Sequence, residues 1–177
     1  MIVLVGASAS GKTELSKILF TTYGYKKCIT TTTRPMRENE VDGIDYHFLT
    51  KDSFKQKIQE NAFYEVTLYQ DHFYGIQKKD VNENGLVIVD PNGANTLVLS
   101  GSDVFVCYIE ASESLRIERM RIRKDDELLI QKRIKGDQET FDLKHFVRID
   151  LHIYNESVSL ESIAQKIHEA YQKRVKS

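Results

Sequence analysis

Prolines and cysteines are scarce, two of each in 177 residues. Cys28 and Cys107 stand far apart, with no CxxC pair and no metal-ligand spacing, so both read as reduced thiols of a cytoplasmic protein. No apolar run approaches the roughly 20 residues that span a bilayer. The opening Met1-Ile2-Val3-Leu4-Val5-Gly6 has neither the basic start nor the long apolar stretch of a signal peptide. Charge of one sign is lacking too: 25 Lys and Arg against 26 Asp and Glu give a net charge of -1, so no nucleic acid partner is expected. No repeat, low-complexity tract or Pro/Gly/Ser-rich linker is found. These absences exclude a membrane protein, a secreted disulfide scaffold and a disordered tail. What is present, 41% hydrophobic and 29% charged residues, is ordinary for a globular domain. A chain of this length buries roughly 70% of its extended surface on folding and needs no staples.

Short continuous apolar runs at residues 2–5, 86–89 and 104–109 have the character of strands covered on both faces. Each leads into a stretch of helical character. Leu15, Ile18, Leu19 and Phe20 share one face, residues 92–99 and 112–123 follow the next two runs, and residues 151–154 form a last strand. Leu160, Ile163, Ala164, Ile167 and Tyr171 line one face of a closing helix. Strand alternating with helix predicts an α/β fold with a parallel core sheet between layers of helices. Two stretches break the alternation. Residues 30–74 are rich in Thr, Tyr, Phe and charge, with strand-like pieces at 46–48 and 64–69, and read as a small antiparallel or mixed insert. Residues 116–139 are helical in propensity, dense in charge and poor in apolar face through 124–127, as in a helical arm that covers a site. The expected division is a core of residues 1–29 and 75–177, a lid at about 116–139, and an insert of 30–74.

The strongest motif is Gly6-Ala7-Ser8-Ala9-Ser10-Gly11-Lys12-Thr13, a match to GxxxxGK[ST]. A buried strand delivers the loop, its backbone N–H groups converge, and a helix N-terminus adds partial positive charge. Gly6 and Gly11 permit backbone conformations that other residues resist. Lys12 places an ammonium at the β- and γ-phosphates of a nucleoside triphosphate, and the Thr13 hydroxyl is suited to ligate Mg2+. In the insert, Thr30-Thr31-Thr32-Thr33-Arg34-Pro35-Met36-Arg37 is followed by Gly43-Ile44-Asp45-Tyr46-His47-Phe48. Hydroxyls, two arginines three apart and a tyrosine could hold a second, small phosphate through the planar donor fork of Arg.

These segments resemble the signature of the guanylate kinase family, and the similarity runs through nearly the whole chain. Phe63-Tyr64-Glu65 is similar to the family's F-x-E, Phe73-Tyr74-Gly75 to its Y-Y-G, and Val89-Asp90-Pro91-Asn92-Gly93 to the strand end after the insert. The resemblance implies a P-loop three-layer sandwich with a nucleoside-monophosphate-binding insert and a helical lid. It implies transfer of the ATP γ-phosphate to GMP with Mg2+, in a monomer or homodimer. By the same resemblance Thr31, Arg34, Arg37, Tyr46 and Tyr74 hold the acceptor phosphate, while Glu65 and Asp90 accept from the N1 and N2 edge of guanine. A carboxylate only accepts, and guanine offers donors there where adenine does not. Arg119, Arg123 and Arg133 resemble the lid arginines, chosen from a helix whose other cations (Arg116 and Arg121 among them) include plain surface charges. Asn155 resembles a residue near the adenine of ATP.

The pattern also departs from the family. Ile76 stands where a hydroxyl residue follows Y-Y-G, Ile88 replaces an acid two positions before Asp90, and Ala9 replaces a loop glycine. Pro35-Met36 rearranges the order between the two arginines. The first two remove polar contacts to the base and the metal side. Two other readings remain open at this level: a related kinase for another nucleoside monophosphate or a phosphorylated sugar, and a non-catalytic protein-binding module of the same family.

Overall fold

The computed structural model describes residues 1–69, 71–82, 84–101 and 103–176. β1 (Ile2–Val5) runs into the glycine-bearing loop and α1 (Lys12–Tyr23), and β2 (Lys26–Lys27) and β3 (Thr30–Thr32) follow. Next come β4 (His47–Phe48), α2 (Lys51–Gln59), β5 (Phe63–Tyr69) and β6 (His72–Gln77). The chain continues through β7 (Gly85–Ile88), α3 (Pro91–Leu99), β8 (Phe105–Glu110), α4 (Glu113–Ile122) and α5 (Glu127–Thr140). It closes with β9 (Leu151–Tyr154) and α6 (Leu160–Val175).

The core sheet has the order β2-β7-β1-β8-β9 and is parallel at every pairing. Its side chains alternate between two cores, as the period of two in a strand requires. Ile2, Leu4, Leu86, Phe105, Cys107 and Ile109 pack against Leu15 and Leu19 of α1 and Ile163, Ala164 and Ile167 of α6. Met1, Val3, Val5, Val87, Val106 and Tyr108 face the other way, against Ala94 and Leu97 of α3 and Phe141. This is the three-layer arrangement that the apolar runs predict. Both cysteines are buried free thiols, and burial raises their pKa values. Among the described residues no helix is long and apolar enough to cross a membrane.

A second sheet, β4-β3-β6-β5, is mixed: β3 pairs parallel with β4 and antiparallel with β6, and β5 pairs antiparallel with β6. One face carries Thr30, Thr32, Glu65, Thr67, Tyr74 and Ile76 in register. Toward the other comes α2, whose Phe54 stacks on Phe63 at 4.5 Å and on Phe73 at 5.5 Å. The sequence reading did not anticipate this helix. Its signal is local: Thr50 accepts from the Ser53 N–H as N-cap, just before the single buried apolar residue of the helix, Phe54. α4 and α5 form a hairpin through a turn at Lys124 (φ 62°), held by a small core of Met120, Ile130 and Ile134 with Ala9 and Ile117 against it.

Candidate active site

β1 delivers the phosphate loop with no slack. At Gly6 a Cβ would lie 2.2 Å from the Ile109 carbonyl oxygen of β8, so only glycine lets the strand end this close to its neighbour. Gly11 (φ 101°) turns the chain into α1, and a Cβ there would meet the Asn155 amide nitrogen at 2.3 Å. Ala9 adopts φ 60° without being glycine, a conformation costing about 1 kcal/mol, while its methyl packs against the small core between α4 and α5. The Lys12 ammonium donates to the carbonyls of Gly6 (2.6 Å) and Ala7 (2.8 Å). Burial lowers its pKa to about 8; Asp137 opposes that shift, and Arg116 and Arg123 reinforce it.

From Lys12 a cavity of about 170 Å³ reaches into the insert, lined by Gly6, Ser8 and Lys12 at one end and Tyr46, Tyr74, Glu65 and Asp90 at the other. Glu65 is buried, its Oε2 has no hydrogen-bond partner, and burial followed by the charge of Asp90 raises its pKa to about 8. Asp90 has two tasks: Oδ1 accepts from the Gly93 N–H as N-cap of α3, and Oδ2 accepts from the Thr67 hydroxyl at 3.0 Å. Arg34 lies beside this cavity rather than on its lining. Its guanidinium sits 5.3 Å from the centre of the Tyr46 ring and donates to Glu40 at 2.7 Å. Glu40 also accepts from the backbone N–H of Arg37, so one carboxylate fixes both arginine positions. The Arg37 side chain is exposed.

On the other side of the loop a groove of about 550 Å³ is lined by Ala9, Gly11, Lys12, Thr13, Arg119, Arg123 and Asn155. Arg119 donates to the carbonyls of Ala9 and Asn155 (3.2 and 3.3 Å) and so braces the loop. Arg123 and Arg133 both pair with Asp125, and only Arg123 reaches the groove. Thr13 is exposed in this groove beside Lys12. Among the described residues no cluster of three or more His, Cys, Asp or Glu could hold a metal by itself. The Thr13 hydroxyl beside Lys12 is a donor that fits Mg2+ carried on nucleotide phosphates, since Mg2+ keeps few protein ligands at such sites.

Three placements bear on the sequence reading, and the first corrects it. Thr31 does not face the cavity. Strand alternation turns it to the opposite face of the sheet, where its hydroxyl accepts from Gln77 at 2.7 Å, and Thr30 lines the cavity instead. Asn155 lines the groove, as the sequence reading expects, and its buried side-chain amide also donates to the Ser10 carbonyl at 2.8 Å, which supports the loop. Arg133 lines neither space. Arg116, grouped in the sequence with surface cations, is buried with Asp137 against the loop. The missed signal lies in periodicity: Arg116 is four residues before buried Met120, and Asp137 falls on the stripe of Ile130 and Ile134. Thr67 and Tyr69 also line the cavity without having been foreseen.

A glycine-bearing loop with a lysine at one end of a cavity and two carboxylates at the other suits two nucleotides meeting phosphate to phosphate. The class so defined is that of the P-loop nucleoside monophosphate kinases. The sequence model of guanylate kinase matches residues 1–174. The guanylate kinase of onion yellows phytoplasma is 32% identical over 90% of this chain and 79% of its own length. That of Chlorobaculum tepidum is 27% identical over 96% and 92%. In the solved structure of guanylate kinase from Anaplasma phagocytophilum, the fold superimposes with a TM-score of 0.72 at 22% identity, over 98% of this chain and 85% of that one. The chain belongs to the guanylate kinase family, whose reaction is the ATP-dependent phosphorylation of GMP.

Proposed function

We propose that this chain binds ATP across the phosphate loop and the groove beside it, binds GMP in the cavity of the insert, and transfers the γ-phosphoryl group between them. The observation that carries this reading is the single cavity joining Lys12 to Glu65 and Asp90. An oxygen of the GMP phosphate attacks the γ-phosphorus in line, and ADP leaves from the loop side. Little covalent chemistry is asked of the protein, which supplies placement and charge. Loop amides and Lys12 hold the β- and γ-phosphates. Tyr46 and Tyr74, with Arg34 and Arg37 turning inward from Glu40, hold the acceptor phosphate. Glu65 and Asp90 accept from N1 and N2 of guanine, and a buried carboxylate without its donor makes other bases unfavourable. Thr13 would hold Mg2+, which when bound would supply charge neutralisation at the nucleotide phosphates. Residues 30–74 act as the acceptor domain and residues 116–139 as the lid, with Arg119 and Arg123 as its cations nearest the donor. The setting is the cytoplasm, and nucleotides are the partners.

A second acceptor is favoured by one specific feature: apolar Ile76 and Ile88 stand where the family has polar contacts. A coupled ADP-release assay across GMP, dGMP, AMP, CMP and UMP tests both readings. GMP is expected to exceed AMP by at least ~100-fold in kcat/KM, as polar-edge recognition allows, with Lys12→Ala inactive. A preference for another acceptor rejects the guanine assignment and leaves the kinase standing.

A further inference from the structure

Asp137 reaches from α5 into the phosphate loop. Its Oδ2 accepts from the Ser8 backbone N–H at 2.8 Å and from the Arg116 guanidinium, and its Oδ1 accepts from the Tyr69 hydroxyl at 3.2 Å. Arg116 also donates through Nε to the Ser8 carbonyl at 2.7 Å. The two charged side chains are 8% and 1% exposed, and the Asp137 charge is the largest attraction felt by the Lys12 ammonium. A carboxylate is thus surrounded by a loop amide, a guanidinium, a phenol and a nearby ammonium, which is the donor set that a phosphoryl group takes. The Ser8 amide belongs to the loop whose N–H groups are to converge on phosphate, and here it is bonded to an anion from another helix.

We propose that this is a phosphoryl-binding subsite in which Asp137 is a resident competing anion, and that Arg116 and Tyr69 become ligands of the donor's terminal phosphoryl group when it displaces that carboxylate. The inference rests on the reading of the Lys12 loop as a triphosphate site and does not depend on which acceptor is used. Three parts of the molecule meet at this carboxylate: the loop through Ser8, the lid helices through Arg116 and Asp137, and the insert through Tyr69 of β5. Displacement therefore releases α5 and β5 together and exchanges a fixed negative charge for a reacting one. A buried ion pair adds little net stability over an apolar pair of similar volume, so a role beyond folding accounts better for its presence.

The test is binding of inorganic tripolyphosphate, which has no base and needs no acceptor, followed by calorimetry alongside thermal melting. Asp137→Asn keeps the shape and removes the competing charge; tripolyphosphate and ATP should each bind about tenfold more tightly, as loss of one close competing anion allows. Arg116→Met with Asp137→Leu replaces both charges by apolar groups and guards against a variant that leaves one of them stranded. It should melt near the parent protein yet bind tripolyphosphate at least severalfold more weakly than Asp137→Asn. Tyr69→Phe should weaken binding by a few fold without moving the melt. Unchanged or weaker binding by Asp137→Asn would mark the pair as structural and overturn the proposal. If the parent protein bound ATP but not tripolyphosphate, the subsite would fail while the kinase assignment stood.

Discussion

Glu65 and Lys12 face one another along the same cavity, and burial moves both of their pKa values to about 8 from opposite directions. In the proposed reaction each must be charged, Glu65 as an acceptor for guanine donors and Lys12 as a cation for phosphate. Below pH 8 Glu65 is largely protonated, so GMP binding must expel a proton; above pH 8 Lys12 is largely neutral, and ATP loses its cation. The two substrates should therefore show opposed profiles. From pH 7 to pH 9, kcat/KM for GMP at saturating ATP is expected to rise about tenfold, while kcat/KM for ATP falls from pH 8 upward. Calorimetry in buffers of different ionisation enthalpy should detect the proton released with GMP. Parallel profiles for both substrates would contradict this assignment of the two groups.

The same carboxylate carries a stability cost. The pKa of Glu65 is raised from 4.5 to about 8 in the folded protein, so on raising the pH the unfolded chain gives up its proton first. Stability then falls with pH between about 4.5 and 8 and is flat beyond. Glu65→Gln removes that dependence. The variant should melt at the parent temperature near pH 4.5 and several degrees higher at pH 8, while losing GMP turnover. An equal melting shift at both pH values would place the effect in packing instead.

Gly11→Ala tests how the loop is held. Its Cβ would lie 2.3 Å from the Asn155 nitrogen that donates to the Ser10 carbonyl, and φ 101° is unfavourable to any side chain. ATP affinity should fall at least ~30-fold, in line with loss of one well-placed buried hydrogen bond plus backbone strain. Combination with Asn155→Ala relieves the clash and leaves the strain. The double variant should then recover only part of the loss relative to Asn155→Ala alone, measured as Kd for ATP.

What sequence made legible follows a physical division. The five core strands include four apolar runs or short segments whose alternation between two cores is written in the residues themselves, as Ile2 and Leu4 against Val3 and Val5 show. The two-residue β2 carries no such pattern, because Lys26 and Lys27 are exposed and join the sheet through backbone. Within the site, the places of Gly6, Lys12 and Asp90 on the cavity lining follow from the local chemistry of a loop or strand end. The choice between Thr30 and Thr31 depends on which face of a two-sided polar strand meets the cavity, and four consecutive threonines offer no hydrophobic period to set it. Arg116 and Asp137 were hidden for another reason: their partnership joins two helices across the loop and exists only in three dimensions.

Ile76 bears on base recognition. It is fully buried in the apolar core and sits in register with Thr30 on one side and Glu65 on the other, two residues that line the cavity while Ile76 does not. Glu65, its register partner, has an Oε2 with no hydrogen-bond partner among the described residues. Ile76→Thr should therefore raise the preference for GMP over AMP by about tenfold, the worth of one hydrogen bond made only with the right base, at a stability cost of ~1–3 kcal/mol for lost packing and a buried hydroxyl. Ile76→Val supplies the control, since it loses packing without gaining a polar group and should leave the preference unchanged. The measurement is kcat/KM for both acceptors at saturating ATP, with melting temperature followed in parallel. If Thr and Val alter the GMP-to-AMP ratio alike, the hydroxyl contributes nothing to recognition, and discrimination in this chain rests on Glu65 and Asp90 alone.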